Sequence, residues 1–317
     1  MRRLAVASLA LLVLAGCSAP APAATPSADG AVTVTNCGTP VTFETAPERV
    51  VTIKSTSTEM LLALGLGDRI VGTAFQDGPV PEEWAADAEG VLEISDFMPS
   101  EEAVLDLEPD LVYAGWESAF SADAAGERTE LAALGVASYV QPAACRSADV
   151  PGKLGFDEIF REIGEVASIF RVDGSALIAD QQQRLAAITP DDRGLTALWY
   201  SSGTDTPYVG AGIGAPELVM ETAGFTNVFA DIDQTWASAG WESIVEADPD
   251  LIILIDADWN TAQSKRDMLE NDPVLSQLTA VKNDAYIVLP FAAGEAGVRS
   301  VPAVESVLGQ LKDLRVE

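Results

Sequence analysis

Three cysteines and two isolated cations are the residues of this 317-residue chain best suited to chemistry, and histidine is absent. Cys17 follows Leu14-Ala15-Gly16, behind a basic start (Met1-Arg2-Arg3) and an apolar run from Leu4 to Val13. That order predicts a cleavable export signal over residues 1–16 ending in a lipobox. The run is too short to persist as a membrane span, and the Cys17 thiol becomes the lipid acceptor at the new N-terminus. Cys37 and Cys145 remain. An even pair in an oxidising compartment predicts a disulfide, worth about 4–5 kcal/mol for a loop of about a hundred residues. Without histidine, His-based metal sites, Ser-His-Asp triads and Cys-His pairs are excluded, so no metal, cofactor or catalytic residue is assigned. Carboxylate-based glycoside hydrolysis remains a distant alternative, with Asp77, Asp96 and Asp258 near candidate cleft loops.

The cations stand out because the chain is so acidic. Asp and Glu number 49 against 18 Lys and Arg, a net charge of −31. Loss of Arg2 and Arg3 with the leader takes it to about −33, which repels nucleic acid and anionic lipid. Lys54 ends an apolar strand and leads into Ser55-Thr56-Ser57-Thr58, which opens a helix. Helix amides, hydroxyls and a lysine make an anion cradle, and Arg299 can close on the anion from the other side. The same residues also read as an ordinary Ser/Thr helix cap with a surface lysine and a solvated arginine. Around them the loops that follow strands concentrate aromatic side chains: Phe75 with Gln76, Phe97, Trp116, Tyr200, Tyr208, Trp236 and Trp259. Aromatic faces in a cleft suit a planar organic ligand, although about half of them would individually fill core instead. Gly210-Ala211-Gly212-Ile213-Gly214 is spaced wrongly for a dinucleotide loop and reads as a cleft-lining turn.

The elements that must position these residues occur twice. Ser100 to Tyr113 and Gly240 to Ile253 each give a short helix, a Pro-Asp-Leu step and a β-branched strand, about 140 residues apart. Before each lies another echo: strand Val50–Ile53 and helix Glu59–Leu64, then strand Leu195–Tyr200 and helix Glu217–Ala223, with Asn227-Val228-Phe229 extended after it. Runs such as Leu251–Ile255 lack alternation, as in strands buried on both faces of a parallel sheet. The expectation is an α/β protein of two similar Rossmann-like lobes with a ligand cleft between them, at the carboxyl ends of the strands. Residues 17–31, rich in Ala, Pro and Ser, form a flexible linker. The N-terminal lobe covers 32–152 and the C-terminal lobe 191–317. Between them (153–190) two helical segments, Phe156 to Phe170 and Ser175 to about Ile188, make a stiff link that permits little closure.

With these residues in view, the chain resembles the helical-backbone class of substrate-binding lipoproteins of bacterial ABC importers, which serve iron–siderophore, haem and cobalamin uptake. The resemblance runs from roughly Cys37 to Leu314. It is carried by Pro47-Glu48-Arg49-Val50-Val51, the Ser/Thr loop before Glu59-Met60-Leu61-Leu62-Ala63-Leu64-Gly65, and both Pro-Asp-Leu repeats. More narrowly, Lys54–Met60, Ala74–Pro79, Ser95–Ser100 and Trp199–Gly203 look like an actinobacterial group proposed to bind a phosphorylated deazaflavin cofactor precursor. The resemblance implies a monomeric, lipid-anchored, extracytoplasmic binding protein, not an enzyme, that captures an anionic aromatic molecule; ferric siderophore, haem and cobalamin are the alternatives. It also implies an ABC permease partner whose two arginine-bearing subunits dock on one glutamate per lobe, seven residues before each repeat's proline: Glu102 and Glu242. A carboxylate at each rim can accept a bidentate arginine.

Overall fold

Prolines 109 and 249 each stop a helix and turn the chain into a central strand. In the computed structural model, which describes residues 30–146 and 152–316, α2 (Glu101–Leu105) precedes β6 (Leu111–Ala114), and α7 (Trp241–Ala247) precedes β12 (Leu251–Asp256). The residues before the two prolines share an unusual backbone, with φ of 48° at Glu108 and 41° at Asp248. Each following aspartate then ties down the start of the neighbouring strand. Asp110 accepts from the N–H groups of Glu48 (2.8 Å) and Arg49 (3.0 Å), beside β3 (Val50–Ile53). Asp250 accepts from the N–H and hydroxyl of Thr196, both at 2.8 Å, where β8 (Thr196–Ser202) begins. The repeat is thus one device used twice.

Two mostly parallel sheets follow. The first has the order β5-β4-β3-β6-β7, with β4 (Ile70–Ala74), β5 (Glu93–Ser95) and β7 (Ala137–Val140), all parallel. The second has the order β11-β9-β8-β12-β13, with β10 (Thr226–Asn227) beside β8. Here β8, β12 and β13 (Tyr286–Pro290) are parallel, while β9 (Tyr208–Gly210) and β11 (Trp236–Ser238) add an antiparallel edge. Of the expected extended stretch Asn227–Phe229, only Asn227 belongs to a strand, although the Val228 N–H still donates to the Ala197 carbonyl of β8 (3.1 Å).

Helices α1 (Ser55–Ala63) and α3 (Arg128–Ala133) belong to the first lobe, and α6 (Ala215–Ala223), α8 (Ala262–Asn271), α9 (Thr279–Lys282) and α10 (Ser300–Leu311) to the second. Helix α1 opens with Ser55–Thr58, and these four residues are buried. Connecting helices α4 (Phe156–Phe170) and α5 (Ser175–Ala187) lie between the lobes in sequence. Ile159, Phe160, Ile163, Val166 and Phe170 of α4 pack into a core that holds Tyr113 of the first sheet and also Leu218 and Val298 of the second lobe. On α5, Gln181 Nε2 donates to the Val298 carbonyl (3.1 Å) and Arg184 forks onto Glu305 of α10. Apolar core and hydrogen bonds therefore cross between the lobes, which supports a stiff link.

A hairpin of β1 (Val32–Asn36) and β2 (Thr39–Phe43) precedes the first sheet. Its two-residue turn needs positive φ at both positions, met by Cys37 (49°) and Gly38 (76°). Asn36 pairs with the β7 edge as another strand would: its amide donates to the Val140 carbonyl (2.6 Å) and accepts from the Val140 N–H (2.8 Å). A disulfide joins Cys37 to Cys145 just beyond β7, with Cα atoms 5.1 Å apart. The leader, Cys17 and most of the linker lie outside the described residues. Among the described residues no helix is long and apolar enough to cross a membrane.

Candidate ligand cleft

The carboxyl ends of both parallel sheets converge on one cavity of about 630 Å³. The first lobe lines it with Gly115-Trp116 after β6 and with Gln141 to Arg146 after β7. The second lobe contributes Ile213 to Ala215, Asp233 to Ser238, and Gly294 to Ala296 after β13. Gly152 and Leu154 close one side. This volume is typical for a small-molecule site. Of the Gly210–Gly214 segment, which runs from the end of β9 to α6, Ile213 and Gly214 line the cavity.

Three of the expected aromatics, Trp116, Tyr208 and Trp236, line this cavity. Tyr208 and Trp236 stack on the antiparallel edge of the second sheet, 5.9 Å apart at 12° between planes. Trp116 belongs to a second group that spans the lobes. Phe97 packs on Phe75 (5.7 Å), Phe75 on Trp116 (5.5 Å), Trp116 on Phe291 (6.3 Å) and Phe291 on Trp259 (5.5 Å). Phe97 and Trp259, at the ends of this chain of rings, are exposed, and Phe291, absent from the expected set, joins its two halves. Tyr200 is core: it is buried in β8, donates its hydroxyl to the Gly203 carbonyl (2.6 Å) and meets the edge of Trp241. Gln76 turns back onto the Ala74 carbonyl (3.0 Å) and does not line the cavity.

The expected cradle forms, and the protein fills it. Lys54 leaves β3 with φ 79° and ψ 149°, a conformation nearly restricted to glycine. Its N–H is held by the Ala74 carbonyl (3.0 Å). Its ammonium is fully buried, 4.2 Å from the Phe75 ring centroid, 4.1 Å from Trp116 and 4.8 Å from Phe291. A desolvated ammonium needs a counter-ion, and Asp77 supplies it through a direct ion pair. The Asp77 carboxylate also accepts from the Ser55 N–H (3.3 Å) at the start of α1, while the Asp77 N–H donates to the Ser55 hydroxyl (2.8 Å). Burial pushes the Asp77 carboxyl up, and Lys54 pulls it back. Arg299 forks onto Glu59 of α1, with Nε donating to Oε2 at 2.6 Å and Nη2 bonded to Oε1. Lys54 and Arg299, expected as opposing charges for an anion, are thus each committed to a carboxylate of the protein. Ser55 serves the same internal pair, and Asp77 is no more available as a catalytic carboxylate.

The residues the sequence reading missed are polar. Trp116 Nε1 hydrogen-bonds to Glu295 across the cleft. Burial pushes the Glu295 carboxyl up to about 7; the Lys54 charge lowers it, the Asp77 charge raises it again, and hydrogen bonding from Trp116 and Thr56 lowers it. Its Oε2 and Gln141 Nε2 are buried without a hydrogen-bond partner. The available signal was positional: Gln141 directly follows β7, and Glu295 lies in the loop after β13. Glu102 and Glu242 lie away from the cavity, exposed in the first turns of α2 and α7. No group of three or more Asp, Glu or Cys among the described residues is arranged to hold a metal ion.

Comparison with known proteins gives a consistent picture. A family model described as a periplasmic binding protein matches residues 50–293. An uncharacterized ABC transporter substrate-binding lipoprotein, YvrC, of Bacillus subtilis (strain 168) is 27% identical over 94% of this chain and 93% of its own. A vitamin B12-binding protein of Yersinia pestis (strain Pestoides F) is 26% identical over 66% of this chain and 70% of its own. Among solved structures, a periplasmic binding protein from Veillonella parvula matches with TM-score 0.77 and 26% identity, covering 90% of this chain and 99% of that one. A structure described as an ABC-type Fe3+-hydroxamate transport system, from Saccharomonospora viridis, matches with TM-score 0.75 and 28% identity, covering 87% and 97%.

Proposed function

Because the chain belongs to the periplasmic binding protein family, we propose that it is the ligand-capturing component of an ABC importer, held outside the cytoplasm by a lipid on Cys17. Its ligand is a planar aromatic organic molecule that lies between the lobes. The observation that carries this reading is the cavity between the sheet ends, which combines the stacked Tyr208–Trp236 pair with Trp116 from the facing lobe. Flat rings on two sides reward a flat ligand with dispersion and apolar burial.

The phosphorylated deazaflavin precursor implied by the narrower resemblance has such a ring system. Its phosphate, however, has no claim on Lys54 or Arg299, which Asp77 and Glu59 already neutralise. In this reading the ring is gripped in the cavity and the phosphate lies at the mouth, toward Arg146 and solvent. Delivery uses the exposed carboxylates of Glu102 and Glu242, one per lobe, as docking points for permease arginines.

Fluorescence titration against the deazaflavin precursor, ferrioxamine, haemin and cyanocobalamin tests the assignment. Saturable binding of the deazaflavin alone, weakened about tenfold or more by Trp236→Ala, is the expected result. Tight ferrioxamine or cyanocobalamin binding without deazaflavin binding would reject the planar ligand and leave the transport role intact.

A further inference from the structure

The floor of the cleft holds two polar atoms that the folded protein leaves unpaired. Gln141 Nε2 and Glu295 Oε2 have no hydrogen-bond partner, and their residues are only 3% and 8% exposed. Gln141 and Glu295 line the cavity from opposite lobes. Thr56 stands behind Gly115, another lining residue, and its hydroxyl faces Glu295 from outside the cavity. Gln141 reaches across to the segment that carries Glu295, with Nε2 3.7 Å from the place a Cβ on Gly297 would take.

An unpaired buried donor or acceptor costs free energy, so two facing one cavity from opposite lobes need a common explanation. Apolar packing does not supply one, because each of these side chains could be replaced by an aliphatic one of similar size. The other charged groups here are already satisfied: Lys54 by Asp77 and Arg299 by Glu59. What remains is one donor, the Gln141 amide, and one acceptor, the free oxygen of Glu295. We propose that Gln141 and Glu295 read the edge of a cyclic imide on the planar ligand, a ring N–H with a carbonyl beside it. The N–H donates to Glu295 and the carbonyl accepts from Gln141. This rests on the reading of the cleft as the ligand site and adds the chemistry by which it selects among flat molecules. Aromatic walls accept any ring; a hydrogen-bonding floor rejects rings that leave its groups unpaired.

Calorimetric titration of the processed chain separates the two claims. The probes are lumichrome, a planar tricycle with an imide edge, and its derivative methylated at the imide nitrogen, which has the same ring but no edge donor. The wild type is expected to bind lumichrome at least tenfold more tightly than the methylated compound. In Glu295→Leu and Gln141→Leu, and in the smaller Glu295→Ala and Gln141→Ala, that ratio is expected to fall to within twofold, with both compounds still bound. Equal binding of the two compounds by the wild type would overturn the imide floor while leaving the aromatic cleft standing. A tenfold ratio that persists in folded variants would equally overturn it, since the discrimination would arise elsewhere. Failure of the wild type to bind either compound would remove the planar-ligand reading, and the imide floor with it.

Discussion

Removing the Glu59 carboxylate leaves a buried arginine without its counter-ion. Glu59 is on α1 of the first lobe, its side chain 2% exposed, and Arg299 stands at the start of α10 in the second, its side chain 15% exposed. The guanidinium cannot shed its proton, so in Glu59→Leu its charge stays buried and unpaired. Breaking a buried pair in this way costs about 3–5 kcal/mol. For a folded body of about 290 residues, that lowers the melting temperature by about 5–8 °C. The opposite truncation, Arg299→Leu, behaves differently because a carboxyl can neutralise itself. Burial already holds Glu59 above its ordinary value, with Arg299 as the main opposing influence. Without the arginine, Glu59 protonates more readily, so the Arg299→Leu loss should be smaller at pH 5 than at pH 8. The double variant Glu59→Leu/Arg299→Leu removes both charges and should recover most of the loss, because an apolar pair of similar volume is close to neutral. Scanning calorimetry of the four proteins at pH 5 and pH 8 measures all of this as one double-mutant cycle. A Glu59→Leu loss under about 2 °C, or a double variant showing the full sum of the single losses, would refute the claim that this pair bolts the lobes together.

Other outcomes follow from the same geometry. Cys145→Ser opens a disulfide that spans 108 positions and should cost about 4–5 kcal/mol, read as a lower melting temperature with ligand affinity retained. Glu162 is buried, receives a hydrogen bond from the Tyr113 hydroxyl (3.0 Å), and is pushed by burial from 4.5 up to about 8. The folded state therefore holds an extra proton between those values, so the contribution of Glu162 to stability is greatest below 4.5 and falls as pH rises to 8, by roughly 4–5 kcal/mol. Glu295, pushed up to about 7, adds to the same window, so Glu162→Gln should flatten most but not all of the slope in denaturant titrations across pH. Glu102→Lys/Glu242→Lys should bind ligand normally yet abolish uptake by whole cells, and normal uptake would reject the docking assignment.

The architecture was legible where the sequence repeats or keeps a period. Two Pro-Asp-Leu steps marked the paired strands because a proline, a strained residue before it and a strand-capping aspartate are all local features. The α4 apolar stripe marked a helix for the same reason. The hairpin at Val32–Phe43 went unread, since its turn places a cysteine where Asn or Asp would have signalled it. Lys54 could be located at a strand end, but its partner Asp77 arrives from 23 residues away by parallel pairing of β3 and β4. A local pattern cannot distinguish a cradle built for a ligand from one filled by the chain itself. Tyr200 was misplaced because the aromatic at the end of a buried strand pointed into the lobe, not out of the sheet end. Gln141 and Glu295 carry no motif at all; only the convergence of two sheets makes them neighbours of one cavity.

Native mass spectrometry of the processed protein, isolated from the membrane of its own host, tests the central claim most directly. The account predicts one small organic molecule bound per chain, conjugated and planar, bearing an imide edge and lost on Trp236→Ala. A chain that instead carries a ferric siderophore, a cobalamin or no small molecule would contradict it.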